Sequence, residues 1–90
     1  MSTRWVLHYE TKPEMLPKAR ELFPRHRARI DEFHARGVLT MVGTLGKPPS
    51  GAMGVFTTQE AAEEFLKGDP FVLEGVVSRH TVWEWSEIFT

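Results

Sequence analysis

The segment Phe23–Gly43, FPRHRARIDEFHARGVLTMVG, contains the helix-to-strand transition from which the fold can be read. Apolar residues at Met15, Ala19, Leu22, Phe23, Ile30 and Phe33 fall largely at steps of three, four or seven, the spacing that collects side chains on one face of an α-helix. His26 lies inside that stripe, four residues before Ile30 and seven before Phe33. An imidazole on an apolar face needs a hydrogen-bond partner, because burying it unpaired costs free energy. Pro24 withholds a backbone donor and disfavours helical geometry at Phe23. A break is therefore expected near Phe23, with His26 in the first turn after it, where a helix N-terminus favours the neutral imidazole. Arg36 and Gly37 end the helix with a cation and a left-handed cap. Val38–Leu45 (VLTMVGTL) then reads as a strand.

Outward from this core, Arg4–Glu10 (RWVLHYE) alternates as a strand, with Trp5, Leu7 and Tyr9 on one face and Arg4, Val6, His8 and Glu10 on the other. Thr11-Lys12-Pro13-Glu14 opens the first helix. A loop over 46–51 joins the second strand to a third, Ala52–Phe56, as an antiparallel hairpin. Thr57 and Glu60 have the spacing of a capping box, and the helix they open places Ala61, Ala62, Phe65 and Leu66 on one face as far as Lys67. Asp69-Pro70 caps a further short turn through Leu73, and Val76–Ile88 closes the chain as a long strand. The order β-α-β-β-α-β is that of an α+β, ferredoxin-like fold, a four-stranded antiparallel sheet with two helices on one face. Trp, Tyr, Met and Val occur on both sheet faces, so the uncovered face is expected to form a homodimer.

A chain of 90 residues is expected to form a single domain over 1–90. A net charge of -1 offers no basic footprint for nucleic acid. The absence of cysteine excludes disulfides and thiolate metal sites. No apolar run approaches the ~20 residues of a membrane span, and Arg4, His8 and Glu10 interrupt any leader. A cytoplasmic protein with no membrane partner is expected. No His-x-His or His-x₃-His spacing suggests a metal, and no Gly-rich loop suggests a phosphate cofactor.

The partner expected for His26 is Asp69, in Gly68-Asp69-Pro70-Phe71. A carboxylate on one ring nitrogen fixes the tautomer and leaves the other nitrogen to take or give a proton. Each residue also has a structural reading: Asp before Pro is a good helix cap, and a half-buried histidine can tie two elements together. His8 and His80, on outer and inner strand positions, are weaker candidates for substrate contacts in a shared cavity. His34 has no assigned role.

Several of these residues resemble the YciI-like (YCII-related) family. They are the N-terminal strand, the Pro24-Arg25-His26 run, Gly37 eleven residues after the histidine, Gly43-Thr44-Leu45, and Ala62-Glu63-Glu64-Phe65-Leu66-Lys67-Gly68-Asp69-Pro70-Phe71. Thr44 stands where the family usually has proline. The resemblance implies a dimeric ferredoxin-like fold related to the dimeric α/β barrels, with an active site of one histidine and one aspartate, here His26 and Asp69. One branch of the family is linked to dechlorination of hydroxylated aromatics. The expectation is a cofactor-independent lyase or isomerase, moving a proton on a small aromatic or unsaturated acid. The alternative is a non-catalytic dimer that binds a small molecule or serves as an accessory module.

Overall fold

The computed structural model describes residues 2–89; Met1 and Thr90, the two ends of the domain expected over 1–90, lie outside the described residues. β1 (Thr3–Thr11) passes through a 3-10 turn at Pro13–Met15 into α1 (Leu16–Ala35). β2 (Leu39–Leu45) and β3 (Gly51–Phe56) form the hairpin. α2 (Gln59–Gly68) and the short α3 (Pro70–Leu73) then lead into β4 (Val77–Ser86). The four strands make one antiparallel sheet in the order β2-β3-β1-β4. This is the ferredoxin-like α+β arrangement, with α3 added between the second helix and the last strand.

The alternation in β1 has the expected consequence. Leu7 and Tyr9 are buried beneath the helices, and Trp5 is half-buried beside them. Across the sheet Leu7 pairs with Gly54 and Val82, so their side-chain positions share the inner face. Phe33 from α1, Phe65 from α2, and Phe56 and Leu39 from the hairpin fill the space above. Phe33 and Phe65 meet edge to face at 5.2 Å between centroids. Ala61 and Ala62 are buried where α2 lies on the sheet, since only small side chains allow that approach. Gly37, with φ +78°, supplies the left-handed residue that ends α1.

Two local expectations need correction. α1 is continuous through Pro24, so His26 sits in mid-helix and no helix N-terminus acts on it. The carbonyl that loses its partner to Pro24 belongs to Arg20; both residues lie on the exposed side of α1, where solvent can satisfy it. The second helix starts one residue later than expected. Thr58 is its cap and accepts a hydrogen bond from the Ala61 N–H at 3.1 Å. Glu60 therefore falls in the first turn without the reciprocal capping-box position.

The outer face of the sheet carries an uncovered apolar patch. Met41 is 67% exposed and Trp83 62% exposed, with Met53, Leu45 and Trp85 exposed around them. The inner core is complete without this face. Phe33, fully buried, is its largest contributor from α1. Phe33→Ala is expected to lower unfolding free energy by about 3–5 kcal/mol. Urea denaturation should show a reduced midpoint at an unchanged slope.

Candidate functional site

Three chain segments converge on one buried carboxylate. Asp69 is 0% exposed and stands at the N-cap of α3, where its Oδ1 accepts the Phe71 N–H at 3.1 Å. The same oxygen is 2.7 Å from His26 Nδ1 in α1. Its other oxygen, Oδ2, accepts the Tyr9 hydroxyl from β1 at 2.7 Å. An ionised carboxylate can only accept hydrogen bonds, so the network assigns the proton on the His26 ring to Nδ1. Phe71 lies flat against the imidazole, with centroids 3.8 Å apart and planes 5° from parallel. The ring is thus fixed in position, orientation and tautomer.

The other ring nitrogen is left free. Among the described residues, no buried side-chain nitrogen or oxygen lacks a partner. His26 makes its hydrogen bond through Nδ1 alone, so Nε2 retains contact with solvent. His26 lines a cleft of about 650 Å³ between α1, β1 and the 46–51 loop. Tyr9, Ala19, Phe23, His26, Pro48 and Phe71 are among its walls. A mainly apolar cleft of this size with a few convergent polar groups is the usual form of a small-molecule site.

The backbone before Asp69 is held separately. Arg29 donates through Nε to the Phe65 carbonyl at 3.0 Å and through Nη2 to the Glu64 carbonyl at 2.7 Å, satisfying the end of α2. A Cβ at Gly68 would come 2.5 Å from the Arg29 guanidinium, so the clamp depends on glycine here. Arg36 adds a two-pronged pair to Glu64, with both contacts at 3.0 Å.

Of the residues selected from sequence, His26 and Asp69 are brought together. His8 and His80 are not: they stand on opposite faces of the sheet, which does not give the shared cavity expected for them. His8 pairs with Met53 and Thr81 on the outer face, whereas His80 pairs with Tyr9 on the inner side. Neither lines the His26 cleft. His34 is exposed on α1, away from it. Sequence reasoning missed Tyr9 as a member of the site. The available signal was its place between Leu7 and the inner sheet edge, since a buried phenol requires a partner for its hydroxyl. Among the described residues no group of three metal-ligating side chains converges, and no helix is long and apolar enough to cross a membrane.

The family model of the YCII-related domain matches residues 3–86. The YciI proteins of Escherichia coli and Shigella flexneri are each 28% identical to this chain, covering 94% of it and 98% of their own lengths. Among solved structures, 5-chloro-2-hydroxyhydroquinone dehydrochlorinase from Burkholderia phenoliruptrix, in complex with 2,5-dihydroxybenzoquinone, superposes with a TM-score of 0.78 at 18% identity. That match covers 92% of this chain and 93% of the other. An antibiotic biosynthesis monooxygenase superposes with a TM-score of 0.60 at 11% identity, over 96% and 98% of the two chains. At these identities the structural likeness establishes the shared fold.

Burial first, and the Asp69 carboxylate second, hold the Tyr9 phenol far above its ordinary value. Tyr9 is the one tyrosine in the chain, so tyrosinate absorbance reports on it directly. A phenol whose pKa is raised by folding stabilises the protein fully below the unfolded value of about 10, and the stabilisation is lost as pH rises above it. The native protein is therefore expected to show no tyrosinate signal while folded. Stability should fall with a slope of up to ~1.4 kcal/mol per pH unit above about pH 10. Asp69→Asn should bring the phenol only part of the way back, because burial remains.

Proposed function

The chain belongs to the YCII-related family, and on that premise we propose that it is a cofactor-independent acid-base enzyme acting on a small aromatic or unsaturated acid. The observation that carries the reading is the His26 imidazole, bonded through Nδ1 to Asp69 at 2.7 Å with Nε2 open to the cleft. In this arrangement His26 is the general base. Nε2 takes a proton from a phenol or an activated carbon, and the Asp69 carboxylate stabilises the imidazolium that forms. The same nitrogen then returns the proton at another position, which gives an isomerase, or to a departing group, which gives a lyase. The Burkholderia neighbour is named as a dehydrochlorinase of a hydroxylated aromatic, a reaction of the second type, and this supports the reading by analogy of fold.

A second reading draws on the cap. Asp69 bonds the Phe71 N–H and orders α3, and Phe71 in turn stacks on His26. The same contacts would serve a non-catalytic dimer that only binds a small molecule. Proton exchange separates the two. Incubated in deuterated water with hydroxylated benzoates and their chlorinated counterparts, the protein is expected to catalyse deuterium incorporation at ring carbon or chloride release. His26→Gln and Asp69→Asn should lower that rate by roughly 10²–10⁴-fold, with circular dichroism unchanged. Exchange that is absent, or indifferent to His26, leaves the binding module.

The uncovered outer face is assigned to a homodimer. Met41, Met53, Trp83 and Trp85 supply large apolar side chains there with nothing over them, and a second copy presenting the same face would remove them from water. Light scattering is expected to give twice the chain mass, and Trp83→Glu to return it to the mass of one chain.

A further inference from the structure

We propose that Arg20 forms an anion subsite in the His26 cleft, selecting planar aromatic monocarboxylates that set their carboxylate on Arg20 and their ring beside Phe23 and Phe71. The orientation of the ligand rests on the acid-base reading of His26; the subsite itself rests on the lining of the cleft.

Charge is distributed unevenly around that cleft. Arg20 lines it, and no aspartate or glutamate does. Asp69, behind the Tyr9, His26 and Phe71 wall, already accepts hydrogen bonds from all three. The other walls are apolar or neutral, Thr11 and Thr44 among them. The apolar walls favour the ring of a ligand, while Arg20, itself exposed, offers the charge.

Arg20 and Arg25 are the arginines of α1 with no protein partner among the described residues, and of the two Arg20 is the one that lines the cleft. Arg27 pairs with Asp31 at 2.9 Å, Arg29 holds the end of α2, and Arg36 pairs with Glu64. Lys18, two residues before Arg20, lies 3.9 Å from Glu74. Arg20 keeps its five N–H donors for a ligand, and a planar guanidinium matches a carboxylate with two parallel hydrogen bonds.

The spacing along α1 sets the ligand's length. Arg20 and His26 are six residues apart, about 9 Å along the helix axis at a rise of 1.5 Å per residue. Phe23 lies midway between them and also lines the cleft. One aromatic ring, carrying its acid group at one end and its exchangeable proton at the other, spans that interval against the Phe23 ring. A second ring or a second charge would have no matching group at the His26 end.

Calorimetric titration with p-hydroxybenzoate and p-hydroxybenzamide tests the subsite, because the two probes differ in the anion. The full-length chain is expected to bind the carboxylate about tenfold or more tightly than the amide. Arg20→Gln should make the two equal. Arg27→Gln, which removes a cation of α1 outside the cleft, should preserve the preference, and so should His26→Gln. The subsite is overturned if the carboxylate has no advantage at millimolar concentration, if Arg20→Gln retains that advantage, or if Arg27→Gln abolishes it equally. A carboxylate preference that depends on Arg20, in a protein that catalyses no proton exchange, removes the acid-base reading and leaves the subsite standing.

Discussion

A carboxylate buried out of reach of water is the constraint around which this molecule is arranged. An isolated charge in a protein interior is strongly disfavoured, and the usual response is protonation or movement to the surface. Asp69 stays inside, surrounded by three donors: the Tyr9 hydroxyl from β1, the His26 ring from α1 and the Phe71 amide from α3. These groups come from the first strand, the first helix and the turn before the last strand. Satisfying one side chain therefore fixes the relative positions of elements up to sixty residues apart in sequence.

The same network that holds the fold also fixes the His26 ring. A histidine free to rotate would exchange tautomers and divide its time between orientations. Here the ring is pinned on one edge by Asp69 and on one face by Phe71, which leaves Nε2 as the sole variable nitrogen. Arg29 contributes at a further remove. By closing the carbonyl end of α2 at Glu64 and Phe65, it fixes where the chain leaves that helix and so where Asp69 can stand. Gly68 lies under the guanidinium with no side chain. Positioning an imidazole through such nested supports gives geometric precision that a surface histidine lacks.

Much of this was legible in the sequence because the signals were local. Alternation in Arg4–Glu10, the three-four spacing around His26, and Asp-Pro at a helix start each report on residues that touch within one turn or one strand. The His26–Asp69 pairing could also be inferred, since an imidazole on an apolar stripe demands a partner. What escaped depended on long-range placement. Tyr9 reaches Asp69 because β1 is central in the sheet and beneath α2, a fact of topology that periodicity in β1 cannot express. His8 and His80 were assigned to their correct sides of the sheet, but opposite faces do not share a cavity within one chain. The continuity of α1 through Pro24 follows from the exposure of the lost hydrogen bond, which depends on how α1 is rotated against the sheet. The choice of Thr58 over Thr57 is a competition between adjacent, chemically equal caps, settled by where β3 ends.

The register of β1 unites these observations. Its side chains alternate between Trp5, Leu7 and Tyr9 on the inner face and Arg4, Val6, His8 and Glu10 on the outer one, so a slip by one residue would exchange the faces. Tyr9 would turn toward the open face, and Asp69 Oδ2 would lose its donor inside a dry core. His8 and Glu10 would face the packed rings of Phe33, Phe56 and Phe65 with no partners there. On the opposite side, Leu7 would join the uncovered face while the core lost one of its buried side chains. Each consequence is unfavourable, and the first is the most specific, because Tyr9 is the one hydrogen-bond donor to Oδ2 among the described residues. The polar network thus does more than orient His26. It selects, among the strand pairings that hydrophobic alternation would tolerate, the single one in which the cleft exists.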